Sequence, residues 1–145
     1  VTRKLPESSG SGALLLRTDF SDDAAWQRLC DVASGLGGPA PEDAAFCASL
    51  ECISESTLHD LMPEELVGLV PSPPPYFVFL ADSLTFGHPE HPILAVDLNR
   101  EPGRTVRVVP PSMWSIENNL SLGNMDFSDF ADTADSIPDR IYRGF

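Results

Sequence analysis

The chain is short of positive charge. Its 145 residues hold 9 Lys and Arg against 22 Asp and Glu, a formal charge of −13, and Lys4 is the single lysine. That shortage excludes the basic footprint with which a protein displaces counterions from phosphate backbones, and nucleic-acid binding with it. A polybasic surface docking on anionic lipid is excluded on the same ground. Long apolar runs are missing too: Ala13 to Leu16 is stopped by Arg17 and Asp19. Four residues are too few for the apolar core of a signal peptide, and a membrane-spanning helix needs about eighteen or more. A cytoplasmic protein with no membrane partner is expected.

Cysteine is equally scarce. Cys30, Cys47 and Cys52 form no Cys-x-x-Cys pair, and Cys47 and Cys52 sit at odd spacing on one expected strand, pointing to opposite faces. They read as small buried hydrophobes in a reducing compartment. There is no phosphate-cradling glycine loop and no Gly-x-Ser-x-Gly elbow. Cys30 shares an apolar face with Trp26 and Leu29, so no catalytic nucleophile is assigned and no cofactor is called for.

What remains is ordinary globular material, 42% hydrophobic, above the composition of disordered chains. Residues 1–12, with Ser8, Ser9, Gly10, Ser11 and Gly12, read as a flexible leader before a single domain over 13–145. Ala13–Thr18 is expected as a first strand buried on both faces. Ser21 or Asp22 then caps a helix to about Ser34, because Trp26, Leu29, Cys30 and Ala33 repeat at helical spacing. Strands are expected at Ala45–Ile53 and at Tyr76–Ala81, the latter central, and as a hairpin of Ile93–Leu98 with Thr105–Val109. Pro63 starts a short helix, and Asp126 caps a last one carrying Phe127, Phe130 and Ala134 on one face. The stretch 110–125 shows no period and is expected as a loop folded on the body. The whole predicts an α/β or α+β domain: one mixed sheet of about five strands with about three helices packed on it.

Charge is unevenly distributed. From Thr18 to Asn99 there are fourteen carboxylates and one base, Arg28, while Arg100, Arg104 and Arg107 cluster afterwards. An acidic body of this kind steers a basic protein partner and speeds its association. Arg17 and Arg107 lie inside strands among apolar neighbours, where a guanidinium must be paired or must line a polar cavity that recognises a carboxylate or phosphate. Arg17 has Asp19 on its own side of the strand. Trp114 is an anchor candidate. Asn118, Asn119 and Asn124 belong to the expected loop, which with Arg107 makes a possible site for a small acid. A magnesium site is the alternative: Asp19, Asp82 and Asp97 close strands, and carboxylates converging at a sheet edge hold hard cations. Arg17 or Arg107 would then clamp a phosphorylated or anionic substrate.

The segments Arg17-Thr18-Asp19-Phe20-Ser21-Asp22, Glu117-Asn118-Asn119-Leu120-Ser121 and Asn124-Met125-Asp126-Phe127, together with the terminal Arg143-Gly144-Phe145, resemble an uncharacterised family of small bacterial single-domain proteins, a domain of unknown function. The resemblance runs from about residue 13 to 145 and is weakest over residues 35–56. It implies one complete domain and supplies no catalytic residue. The sequence therefore favours binding over catalysis: an acidic, inhibitor- or immunity-like protein for a basic partner.

Overall fold

A computed structural model describes residues 4–6, 12–34, 48–71 and 75–144. Among these residues the chain forms one six-stranded mixed sheet, in the order β2-β1-β3-β4-β5-β6. The strands are β1 (Ala13–Arg17), β2 (Leu50–Ile53), β3 (Phe77–Ala81), β4 (Ile93–Asp97), β5 (Thr105–Val108) and β6 (Ile141–Tyr142). The helices are α1 (Asp23–Ala33), α2 (Pro63–Leu69), α3 (Ser83–Gly87), α4 (Met113–Ser121) and α5 (Phe127–Asp135). The leader expected over residues 1–12 falls largely outside the described residues, as do Cys47 and the start of the expected second strand. Within that leader, Leu5 packs on the core.

The alternation of side chains along each strand sorts the apolar residues into two layers. Leu15, Phe79, Ile93, Val106 and Val108 face one side, where α1, α4 and α5 cover them. Leu14, Leu16, Val78, Leu80, Leu94 and Val96 face the other, beneath Leu58, Leu61 and Leu66. β3 carries an apolar side chain at every position, and all five of its residues are buried. Such a run satisfies both faces only in the middle of a covered sheet, and β3 indeed pairs parallel with β1 and antiparallel with β4.

Local signals set the ends. The Asp22 carboxylate accepts the Ala25 N–H at 3.0 Å and starts α1, offsetting an unpaired donor of the first turn. Asp129 reaches back to the Asp126 N–H at 2.9 Å and fixes the start of α5. The sequence expectation needs correcting over 110–125, which is a helix for most of its length rather than a loop. Met113, Ile116 and Leu120 fall at i, i+3 and i+7 and are buried as one face. The five-residue α3 and two-residue β6 were not expected, each being too short to show a period.

Candidate functional site

β1 leads through α1 to β2 on one side, whereas β3 lies on the other side of β1. The strand order therefore reverses between β1 and β3, and crevices at such a switch point are where open α/β sheets take ligands. A cleft of about 670 Å³ starts there, at Thr18 and Asp82, and runs along the second face past Leu80 and Leu94 to Gly103 and Thr105. Its size is within the range of small-molecule and side-chain pockets.

The register builds its floor. Leu80 pairs with Leu94, and Leu94 with Arg107, so these three side chains share one face in a row across the sheet. Asp82 continues that face two residues beyond Leu80. The Arg107 guanidinium crosses β4 to meet it with two hydrogen bonds of 2.7 Å each, and also donates to the Pro92 carbonyl at 3.3 Å. The fork-on-carboxylate geometry is the strong form of this pair. Asp82 is also the cap of α3: it accepts the Thr85 N–H at 3.1 Å while its own N–H donates to the Thr85 hydroxyl. Burial pushes the Asp82 carboxyl up, but the Arg107 guanidinium and the Thr85 bonds outweigh it and hold the group below the usual carboxylate range.

The walls are acidic and partly apolar. Asp60 and Glu64 come from the α2 side, Asp135 from the end of α5, and Met62 and Leu84 stand on the rim at 55% and 49% exposure. Asp60 and Arg140, both in the lining, have φ of +58° and +57°. This left-handed region is costly for a side chain as large as arginine, and such strain gathers at functional sites.

The residues singled out from sequence are dispersed by the fold. Arg17 is 3% exposed and faces the first layer, with Leu15. Its Nε donates to the Asp19 carbonyl rather than to the carboxylate, at 2.9 Å, and its Nη1 to Ser54 Oγ at 3.4 Å. Nη2 stands 2.8 Å from the Asp23 carboxylate without an aligned hydrogen bond. The guanidinium lies over the rings of Phe20 and Trp26, at 4.6 and 5.8 Å. Arg17 and Arg107 thus point to opposite faces and cannot clamp one anion.

Asp19 and Asp82 do share the carboxyl edge of the parallel pair. Asp97 does not: it is paired opposite Phe77, the first residue of β3, at the far edge. There its buried carboxylate accepts the N–H groups of Asn99 and Glu101, at 3.0 and 2.8 Å. Asp19 accepts the Ser21 N–H at 2.8 Å, and hydrogen bonding from Ser21 lowers its pKa. All three aspartates therefore close turns or caps, and among the described residues no three His, Cys, Asp or Glu gather closely enough to hold a metal.

Trp114 is partly buried against the first layer, on α4. Asn119 Nδ2 donates to the Ser115 carbonyl at 2.8 Å, while Asn118 and Asn124 lie exposed. Because α4 covers the face opposite to Arg107, that arginine and Asn118–Asn124 do not form one site. Sequence reasoning missed Asp60, Met62, Glu64, Leu84 and Arg140. None lies in a periodic or motif-bearing stretch, and only the fold gathers them.

The arginines that cluster after the acidic stretch, and Arg143 near the end, also face carboxylates of the same chain. Arg100 faces Asp126 at 3.8 Å; Arg104 faces Glu101, Asp132 and Asp135; Arg143 faces Glu90 and Asp139. No described helix is long and apolar enough to cross a membrane. No curated protein matches the chain. Three of the segments quoted above have structural roles, as the strand end and cap of α1, the body of α4 and the start of α5. With a family model matching residues 12–145, the chain belongs to the family described as the domain of unknown function DUF6924.

Proposed function

We propose that this domain works by binding rather than catalysis, and that its acidic cleft receives a basic segment of a protein partner. The observation that carries the reading is the division of charge around the cleft. Arg107 and Asp82 answer each other in the floor; on the walls, beside the apolar Met62 and Leu84, the exposed Asp60, Glu64 and Asp135, the last also facing Arg104, outnumber the exposed Arg140. Lysine and arginine side chains combine an apolar stem with a charged head and match such a lining. Arg17, Arg100, Arg104, Arg107 and Arg143 each lie against carboxylates, so they do little to blunt a field that favours a basic partner. A cytoplasmic setting goes with this reading.

The test is the association rate of an arginine-rich peptide measured against ionic strength. Steered association falls steeply with salt. The reading expects that dependence, and expects it to flatten in the triple variant Asp60→Asn, Glu64→Gln, Asp135→Asn. Equal rates for the two proteins at every salt concentration would remove the cleft from the account.

A further inference from the structure

On the face opposite the cleft, two cysteines far apart in sequence are brought together. Parallel pairing sets Cys52 of β2 beside Leu15 of β1. In a parallel ladder paired residues point to the same side, so Cys52 takes the Leu15 face, with Leu50, which packs into that layer. The helix over this face is α1, and Cys30 is one of its four inward residues, buried in the same layer. The two thiols are close enough that each shifts the titration of the other. They differ in access, Cys30 being buried and Cys52 exposed at the outermost strand. The neighbouring Cys30 draws the Cys52 thiol below its ordinary pKa, whereas Cys52, together with burial, pushes the Cys30 thiol up. An accessible thiol of lowered pKa next to a second thiol is the arrangement of an attacking and a resolving cysteine.

We propose that Cys52 and Cys30 form a reversible dithiol–disulfide pair that ties the edge strand β2 to α1. The oxidant is a low-molecular-weight disulfide such as glutathione disulfide. The Cys52 thiolate attacks one of its sulfurs, forming a mixed disulfide and expelling one thiolate. The Cys30 sulfur then attacks Cys52 Sγ, forming the intramolecular disulfide and expelling the second thiolate. Both cysteine protons end on the two released thiols, and the chain loses two hydrogens. The bond closes the chain between α1 and β2, which limits the unfolded ensemble.

The experiment incubates the folded, reduced full-length chain in glutathione–glutathione disulfide buffer, quenches with an alkylating agent, and maps the peptides without reduction after cleavage at glutamate. Glu42 and Glu51 lie between the cysteines, so the three thiols fall in three different fragments. A Cys30–Cys52 cross-linked fragment, a mass loss of two hydrogens, and a melting temperature above that of the reduced chain are expected. Cys52→Ser, at an exposed position, should fold and leave Cys30 without a disulfide partner. Cross-links involving Cys47, a product that stops at Cys52–glutathione with Cys30 still free, or a lower melting temperature on oxidation would each overturn the proposal.

Discussion

Replacing Asp82 by asparagine isolates the ion pair on which the cleft floor is built. Asparagine caps a helix about as well as aspartate, so α3 keeps its start while the charge facing Arg107 is lost. The Asp82 and Arg107 side chains are 25% and 20% exposed. A fully buried pair costs about 3–5 kcal/mol to break from one side, an exposed one about 0–1 kcal/mol. With a fifth to a quarter of each side chain in water, about 2 kcal/mol is expected for Asp82→Asn. Asp82→Ala also loses the cap and should cost about 1 kcal/mol more. For a domain of this size, about 2 kcal/mol lowers the melting temperature by about 6 °C. The loss should also depend on pH. The folded-state pKa of Asp82 is depressed, so its contribution is complete above the unfolded value of about 3.9 and fades as pH falls through the folded value. The gap between wild type and Asp82→Asn should therefore be widest near neutrality and close in acid. Urea titrations at several pH values, in a double-mutant cycle with Arg107→Met, measure it. No coupling between the two positions, or a gap that widens in acid, would refute the reasoning.

Three further outcomes are expected. Phe79→Ala removes a ring at 0% exposure that meets Phe77 edge-on at 5.4 Å; it should cost about 3–5 kcal/mol, read as a lower urea midpoint. Gly12→Ala sets a Cβ against the Ser49 carbonyl; since that group is backbone, the β1–β2 junction must shift, and a loss of about 1–3 kcal/mol is expected by thermal melting. Arg140→Gly relieves the left-handed backbone at φ +57° and should hold or raise stability by up to about 1 kcal/mol. It should also tighten an arginine-rich peptide by removing a cation from the cleft lining, as titration calorimetry would show.

Much of this fold is legible in the sequence, where local chemistry decides it. Asp22 announces α1, Asp126 announces α5, and the uninterrupted apolar stretch at 77–81 announces a central strand. The hairpin of β4 and β5 follows from two strand-like runs around Pro102-Gly103. α4 is harder to see because Ser115, Asn118, Asn119 and Ser121 are weak helix formers, and the buried face of Met113, Ile116 and Leu120 overrides them only once the sheet is present. The site is less legible than the fold. Arg107 shows itself as a guanidinium in need of a partner, but Asp82 becomes that partner only through the register that aligns Leu80, Leu94 and Arg107. Likewise, Asp97 closes its strand as Asp19 and Asp82 do, yet β4 runs the other way and carries it to the far edge. Strand direction is a long-range property, and no residue near Asp97 encodes it.

The most direct test of the account is amide chemical-shift mapping of the folded domain with an arginine-rich peptide, at low and high salt. The account predicts shifts confined to the cleft, at Asp60, Met62, Glu64, Leu84 and Asp135. They should shrink as salt rises and vanish in the variant Asp60→Asn, Glu64→Gln, Asp135→Asn. Shifts spread evenly over the acidic surface, or concentrated on α4 and α5 with the cleft silent, would contradict it.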